Sequence, residues 1–114
     1  MRSLPAWARW NPAGEESPWT IGLEEEVMLL DPLDWALASR IDDVLPTLAP
    51  EIAEHAAAET HGSALELFSG PHTTAAGAAA ELAGLREGLQ ESLEVLGLRA
   101  AVAGTHPFAQ WSDI

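Results

Sequence analysis

Hydrophobic and polar positions alternate along Thr20-Ile21-Gly22-Leu23-Glu24-Glu25-Glu26-Val27-Met28-Leu29-Leu30, with Pro18 before and Asp31-Pro32 after. Strand formers at both ends and turn formers outside predict a β-strand. Alternation puts Ile21, Leu23, Glu25, Val27 and Leu29 on one face, and Gly22, Glu24, Glu26, Met28 and Leu30 on the other. A second strand is predicted at residues 63–69, closed by Gly70-Pro71, with Leu65 and Leu67 on one side and Ala64, Glu66 and Phe68 on the other. Residues 98–103 predict a third.

The period then lengthens. Leu82, Leu85, Leu89, Leu93 and Leu96 recur at helical spacing within residues 73–96 and form a stripe that belongs to a core. Thr73 or Thr74 can cap its N-terminus and Gly97 can stop it. Gly84 and Gly88 weaken the helix by about 1 kcal/mol each and point to close packing against a sheet. Residues 31–34 have turn chemistry, and residues 35–38 suggest a short strand returning as a hairpin. A short helix is expected to start at Asp42-Asp43, with Pro46 in its first turn and a stop near Pro50. Residues 51–59 have helix-forming composition.

The acidic strand is where chemistry enters. Glu24 and Glu26 point the same way, their Cβ atoms roughly 7 Å apart. Like charges so placed repel unless something positive lies between them. A hard cation such as Mg²⁺ or Mn²⁺ does that and leaves positions for phosphate and water. The plainer reading is a solvated face of an edge strand. Glu66, between small and aromatic neighbours, is either a surface acid or a third carboxylate for that site. The pattern leaves both open.

Composition narrows the partners. The chain has 114 residues, a formal net charge of −13, five arginines and no lysine. One domain, or part of one, with a modest core is expected. Nucleic acid and anionic membranes are poor partners for such a surface. A metal–nucleotide complex remains compatible, because the metal brings the positive charge. There is no cysteine, so disulfides and thiolate zinc sites are excluded. No run approaches the ~20 apolar residues of a membrane span. Residues 1–18, with Trp7 and Trp10, lack a signal-peptide core and read as a flexible arm ahead of a domain over 19–114. The expected address is the cytoplasm. His55, His61, His72 and His106 show no metal-ligand spacing, and no glycine-rich phosphate loop is present.

Taken in order, Gly22-Leu23-Glu24-Glu25-Glu26, Leu65-Glu66-Leu67, the long Leu/Ala/Glu/Arg helix and Ala103-Gly104-Thr105-His106-Pro107-Phe108 with Trp111 resemble the N-terminal portion of a bacterial family. That family is the glutamate–cysteine ligase type 2 or carboxylate–amine ligase family. The resemblance runs from about Trp19 to Trp111, and the GTHPF-x-x-W ending is its most specific part.

The resemblance implies an α+β fold: a curved antiparallel sheet, part of a glutamine-synthetase-like funnel, with helices on its outer face. It implies Glu24, Glu26 and Glu66 as ligands of the Mg²⁺ (or Mn²⁺) that accompanies ATP, and His106 as a residue near the substrate. No residue is implied for the nucleotide itself. The implied chemistry is ADP-forming: ATP phosphorylates a carboxylate such as that of glutamate, and an amine such as that of cysteine displaces phosphate. This chain departs from the family pattern at His72, and at His61-Gly62 ahead of Glu66, which bears on substrate choice. Family members continue well past the GTHPF loop, so the expectation is an N-terminal fragment inactive alone. The alternative is a truncated, non-catalytic paralogue whose sheet pairs with itself or with a partner. Homo-oligomerisation stays open.

Overall fold

Residues 24–30 do form a strand, and everything else is placed by it. The computed structural model describes residues 19–114 together with Ser3, Pro5 and Ala8. Those three residues apart, the arm expected over 1–18 lies outside the described residues. Four strands, β1 (Glu24–Leu30), β2 (Ala56–Ala58), β3 (Ala64–Phe68) and β4 (Arg99–Ala101), form an open antiparallel sheet in the order β2-β3-β1-β4. With α1 (Ile41–Val44), α2 (Pro50–Ala53) and the long α3 (Ala75–Val95), this is the expected α+β architecture.

The alternation in β1 and β3 sorts the two faces. Val27 pairs with Leu65 and Glu25 with Leu67, while Glu26 pairs with Glu66 and Glu24 with Phe68. Val27, Leu29, Leu65 and Leu67 are buried in one cluster with Leu82, Leu85, Leu89 and Leu93 of α3. Ile41 and Val44 of α1 and Ile52 of α2 join it. All three helices therefore cover the face opposite Glu24 and Glu26. Among the described residues no helix is long and apolar enough to cross a membrane.

The helix begins as its sequence predicts. Thr74 is the N-cap, its Oγ1 accepting from Gly77 N–H at 3.1 Å, which satisfies one of the free donors of the first turn. Gly97, at φ 68°, follows the helix in the left-handed region, where glycine meets no Cβ penalty.

Two local expectations change. The helix expected over 51–59 stops at Ala53, and the alanines of β2 pair instead with Glu66, Leu65 and Leu67 of β3. Alanine's helix preference is worth less than a ladder of backbone hydrogen bonds along an exposed sheet edge. The hairpin strand expected at 35–38 shrinks to a single bridge, Leu30 to Leu37. The turn is held by two aspartates, Asp31 accepting from Leu33 N–H at 2.8 Å and Asp34 from Ala36 N–H at 2.9 Å. It leaves Trp35 at φ 62°, and a left-handed residue cannot extend a strand.

The two helix glycines also differ. A Cβ on Gly88 would lie 2.8 Å from Cγ1 of Ile52, so this glycine lets α2, rather than the sheet, approach. At Gly84 nothing lies within 4 Å. Gly84→Ala should therefore stabilise the fold by about 1 kcal/mol through helix propensity. Gly88→Ala should destabilise by about 1–3 kcal/mol, because a filled core must shift. Urea unfolding of both variants checks this; a gain from Gly88→Ala would remove the close contact from the account.

Candidate functional site

Glu26 stands directly opposite Glu66 across the β1–β3 ladder. Facing residues in such a pair have Cβ atoms about 4.5–5.5 Å apart, and like charges there are destabilising. Glu24 shares their face two residues along. The three acids expected to act together are thus on one face of adjacent strands, opposite the core.

A fourth acid joins them. Ala57 pairs with Glu66, and Glu59, two residues on, keeps the parity of Ala57 and returns to the same face. The Glu66 carboxyl is held above its ordinary value, first by a hydrogen bond with Glu59, then by burial and by the charges of Glu24, Glu59 and Glu26. Glu59 was missed in the sequence because residues 51–59 read as helix, which hides strand parity.

The donor set suits a hard divalent cation: carboxylate oxygens crowded enough to raise one of their number. As they stand, no three His, Asp or Glu side chains among the described residues close on one point as metal ligands. The acids fit such a cation by chemistry and by shared face, and not by the present positions of their side chains.

Beside Glu26 lies a cavity of about 290 Å³, lined among others by Met28, His61, Ser63, Thr105 and His106. A larger groove, about 740 Å³, opens on the helix side around Glu25, Arg86 and Val102. None of Glu24, Glu26, Glu59 and Glu66 lines the larger groove, and of the four only Glu26 lines the smaller cavity. On that helix side Glu25, 10% exposed, meets the Arg86 guanidinium through both oxygens. This partner explains how an acid shares the parity of Val27 and Leu29. Hydrogen bonding to Glu25, against some burial, holds Arg86 still more firmly charged.

His106 is held by backbone on both sides. Its Nε2 lies 2.9 Å from the Trp35 carbonyl oxygen, and its Nδ1 lies 3.0 Å from Ala109 N and 3.4 Å from Phe108 N. The Phe108 ring meets the imidazole edge-on at 4.5 Å between centroids.

The other histidines are less scattered than their spacing suggests. Glu81 of α3 accepts from Gly70 N–H at 2.9 Å, lies 2.5 Å from His72 Nε2 and 3.6 Å from His55 Nε2. The His72 hydrogen bond, chiefly, holds the Glu81 carboxyl below its ordinary value. This cluster ties α3 to the start of β2 and the end of β3.

Arg40 pairs with Asp43, Arg86 with Glu25, and Arg99 lies 3.6 Å from Glu94. Each described arginine thus lies against an acid outside the carboxylate group.

The family model described as glutamate–cysteine ligase family 2 matches residues 20–114. A relative in Bordetella avium, provisionally named glutamate–cysteine ligase 2, is 36% identical over 103 residues, covering 90% of this chain and 26% of its own length. One of the same name in Herpetosiphon aurantiacus is 36% identical over 101 residues, covering 89% and 26%. Another in Chloroflexus aurantiacus is 33% identical over 102 residues, covering 90% and 26%. The chain spans about a quarter of the length of these relatives.

Proposed function

The chain belongs to glutamate–cysteine ligase family 2, and from that premise we propose that it carries the metal-holding carboxylates of an ATP-dependent carboxylate–amine ligase. The observation that carries this reading is the facing pair Glu26 and Glu66, with Glu24 and Glu59 on the same side and Glu66 raised by their crowding. Acids arranged to repel each other are costly in a fold unless a cation uses them.

The reaction proposed is the joining of a carboxylate, glutamate in the namesake case, to an amine such as that of cysteine. ATP passes its terminal phosphoryl group to the carboxylate, releasing ADP; the amine then attacks the acyl phosphate, forming the amide and releasing phosphate. Mg²⁺ or Mn²⁺, when bound, would neutralise and orient the phosphates. Glu24, Glu26 and Glu66 would hold it, with Glu59 beside them. The β1–β3 ladder fixes the spacing of these acids, and the cavity next to Glu26 gives a reactant room against them.

Phosphoryl transfer also needs positive side chains around the phosphates. Every described arginine is already paired with an acid elsewhere, so that charge is proposed to come from polypeptide equivalent to the rest of the longer relatives. The 114-residue chain alone is expected to release no ADP above background from ATP, Mg²⁺, glutamate and cysteine. With the remaining segment of a relative supplied in trans, ADP release should appear and should require both amino acids. Turnover by the chain alone would overturn the assignment of the phosphate-gripping charge. ADP release independent of Glu24 and Glu26 would overturn the metal site.

A second reading, a non-catalytic module that pairs through its sheet, draws on β2 and β4 being the outer strands, since unpaired strand edges invite another chain. It predicts self-association, without any effect of divalent cations.

A further inference from the structure

The geometry points to His106 as a positioning residue, a clamp that fastens the loop after β4 to the turn after β1 and so shapes the cavity beside Glu26. The hydrogen-bond roles follow from the partners alone. A carbonyl oxygen only accepts, so Nε2 must carry the hydrogen it donates to Trp35, 2.9 Å away. A backbone N–H only donates, so Nδ1 must offer its lone pair to Ala109 N–H at 3.0 Å. The ring is therefore the neutral Nε2–H tautomer, with both nitrogens spent on backbone groups. In this arrangement it presents neither to a ligand.

What the clamp joins gives it a purpose. β4 ends at Ala101, and residues 102–110 belong to no strand or helix, so the ladder does not place them. Gly104 and Thr105 of this stretch nevertheless form one wall of the 290 Å³ cavity, facing Glu26, Met28 and Ser63. On the other side of the clamp, Trp35 is set at φ 62°, an unfavourable region for a bulky residue that persists only where surroundings hold it. Its N–H donates to Asp31 at 2.8 Å, so the carbonyl that receives His106 is anchored at the end of the strand bearing Glu26. The Phe108 ring, edge-on to the imidazole, fixes the ring plane. That the cavity serves ligation rests on the reading above; the clamp does not.

The test uses the ¹⁵N-labelled chain. Long-range proton–nitrogen spectra of the imidazoles should show His106 as the Nε2–H tautomer at neutral pH. Ala109 N–H should exchange with solvent faster in His106→Ala by roughly 2- to 10-fold, the loss of one hydrogen bond. His106→Asn, whose Oδ1 can replace Nδ1 as acceptor, should restore Ala109 protection. His106→Gln, which can reach Trp35 but offers no acceptor at the Nδ1 position, should not. Unchanged exchange at Leu89 in all three variants shows the core intact. An Nδ1–H tautomer, or Ala109 exchange alike in wild type and His106→Ala, overturns the clamp. Mn²⁺ broadening of the Ala64 and Thr105 amides reads the carboxylate site separately. If it is absent while the tautomer and exchange results hold, the ligase reading fails and the clamp stands.

Discussion

Leu89→Ala is expected to destabilise the fold by about 2–5 kcal/mol. Leu89 is 1% exposed and sits midway along α3, in the cluster that joins the helix to Val27 and Leu29 of β1 and to Leu65 and Leu67 of β3. Truncation removes both its transfer free energy and the packing of its neighbours, and two layers held apart by a helix and a sheet collapse only partly. A fold of this size has on the order of 5–15 kcal/mol of stability in all, so the loss is a large share of the total. Glu91→Ala, two residues away and exposed, should stay within about 0.5 kcal/mol. Urea titrations of the two variants, compared at constant slope, decide the matter. A loss at Leu89 below half a kilocalorie per mole would mean that the stripe does not face the sheet.

That prediction could be made from sequence, and others could not, for a physical reason. Periodicity reports how a residue relates to its own element. The two-residue period of β1 placed Glu24 and Glu26 on one face, and the leucines of α3 declared their buried side, because in each case several residues repeat the same signal. The partners of Glu66 are set by register between strands 40 residues apart in the chain, which no local period encodes. Residues 56–58 are three alanines, and a uniform run has no period at all; with that strand went the face of Glu59. His55, His72 and Glu81 meet only because α2, the end of β3 and α3 pack together. Parity put Glu25 on the apolar face of β1, but could not say that Arg86, 61 residues on, would meet it there. The GTHPF loop was legible as a motif, whereas the hold of His106 on Trp35, 71 residues away, was not.

A divalent cation should stabilise the folded chain, and the same acids should weaken it when the cation is withheld. Glu66 has a folded value above its ordinary 4.5, raised by Glu59, burial, Glu24 and Glu26. A raised acid contributes stability below its unfolded value and loses it as pH climbs through the folded one. Without cation, stability should therefore fall as pH rises from about 4.5 through that raised value. Glu81 acts oppositely: its value is lowered, chiefly by His72, so its contribution is present above 4.5 and is lost as pH falls through the lowered value. Glu66→Gln should flatten only the upper limb and raise the melting temperature of the cation-free chain at neutral pH. Glu81→Gln should flatten only the lower limb. With Mn²⁺ at a hundred times its dissociation constant, linkage adds about 2.7 kcal/mol to the wild type, a rise on the order of 10–20 °C for a domain this small. Glu66→Gln and the double variant Glu24→Gln/Glu26→Gln should lose most of that rise. Thermal unfolding with and without Mn²⁺ separates the possibilities. If Glu66→Gln melts lower than wild type without metal, the acids are not in conflict. If Mn²⁺ raises all three proteins equally, it binds elsewhere, and the carboxylate face of β1 and β3 is a solvated surface.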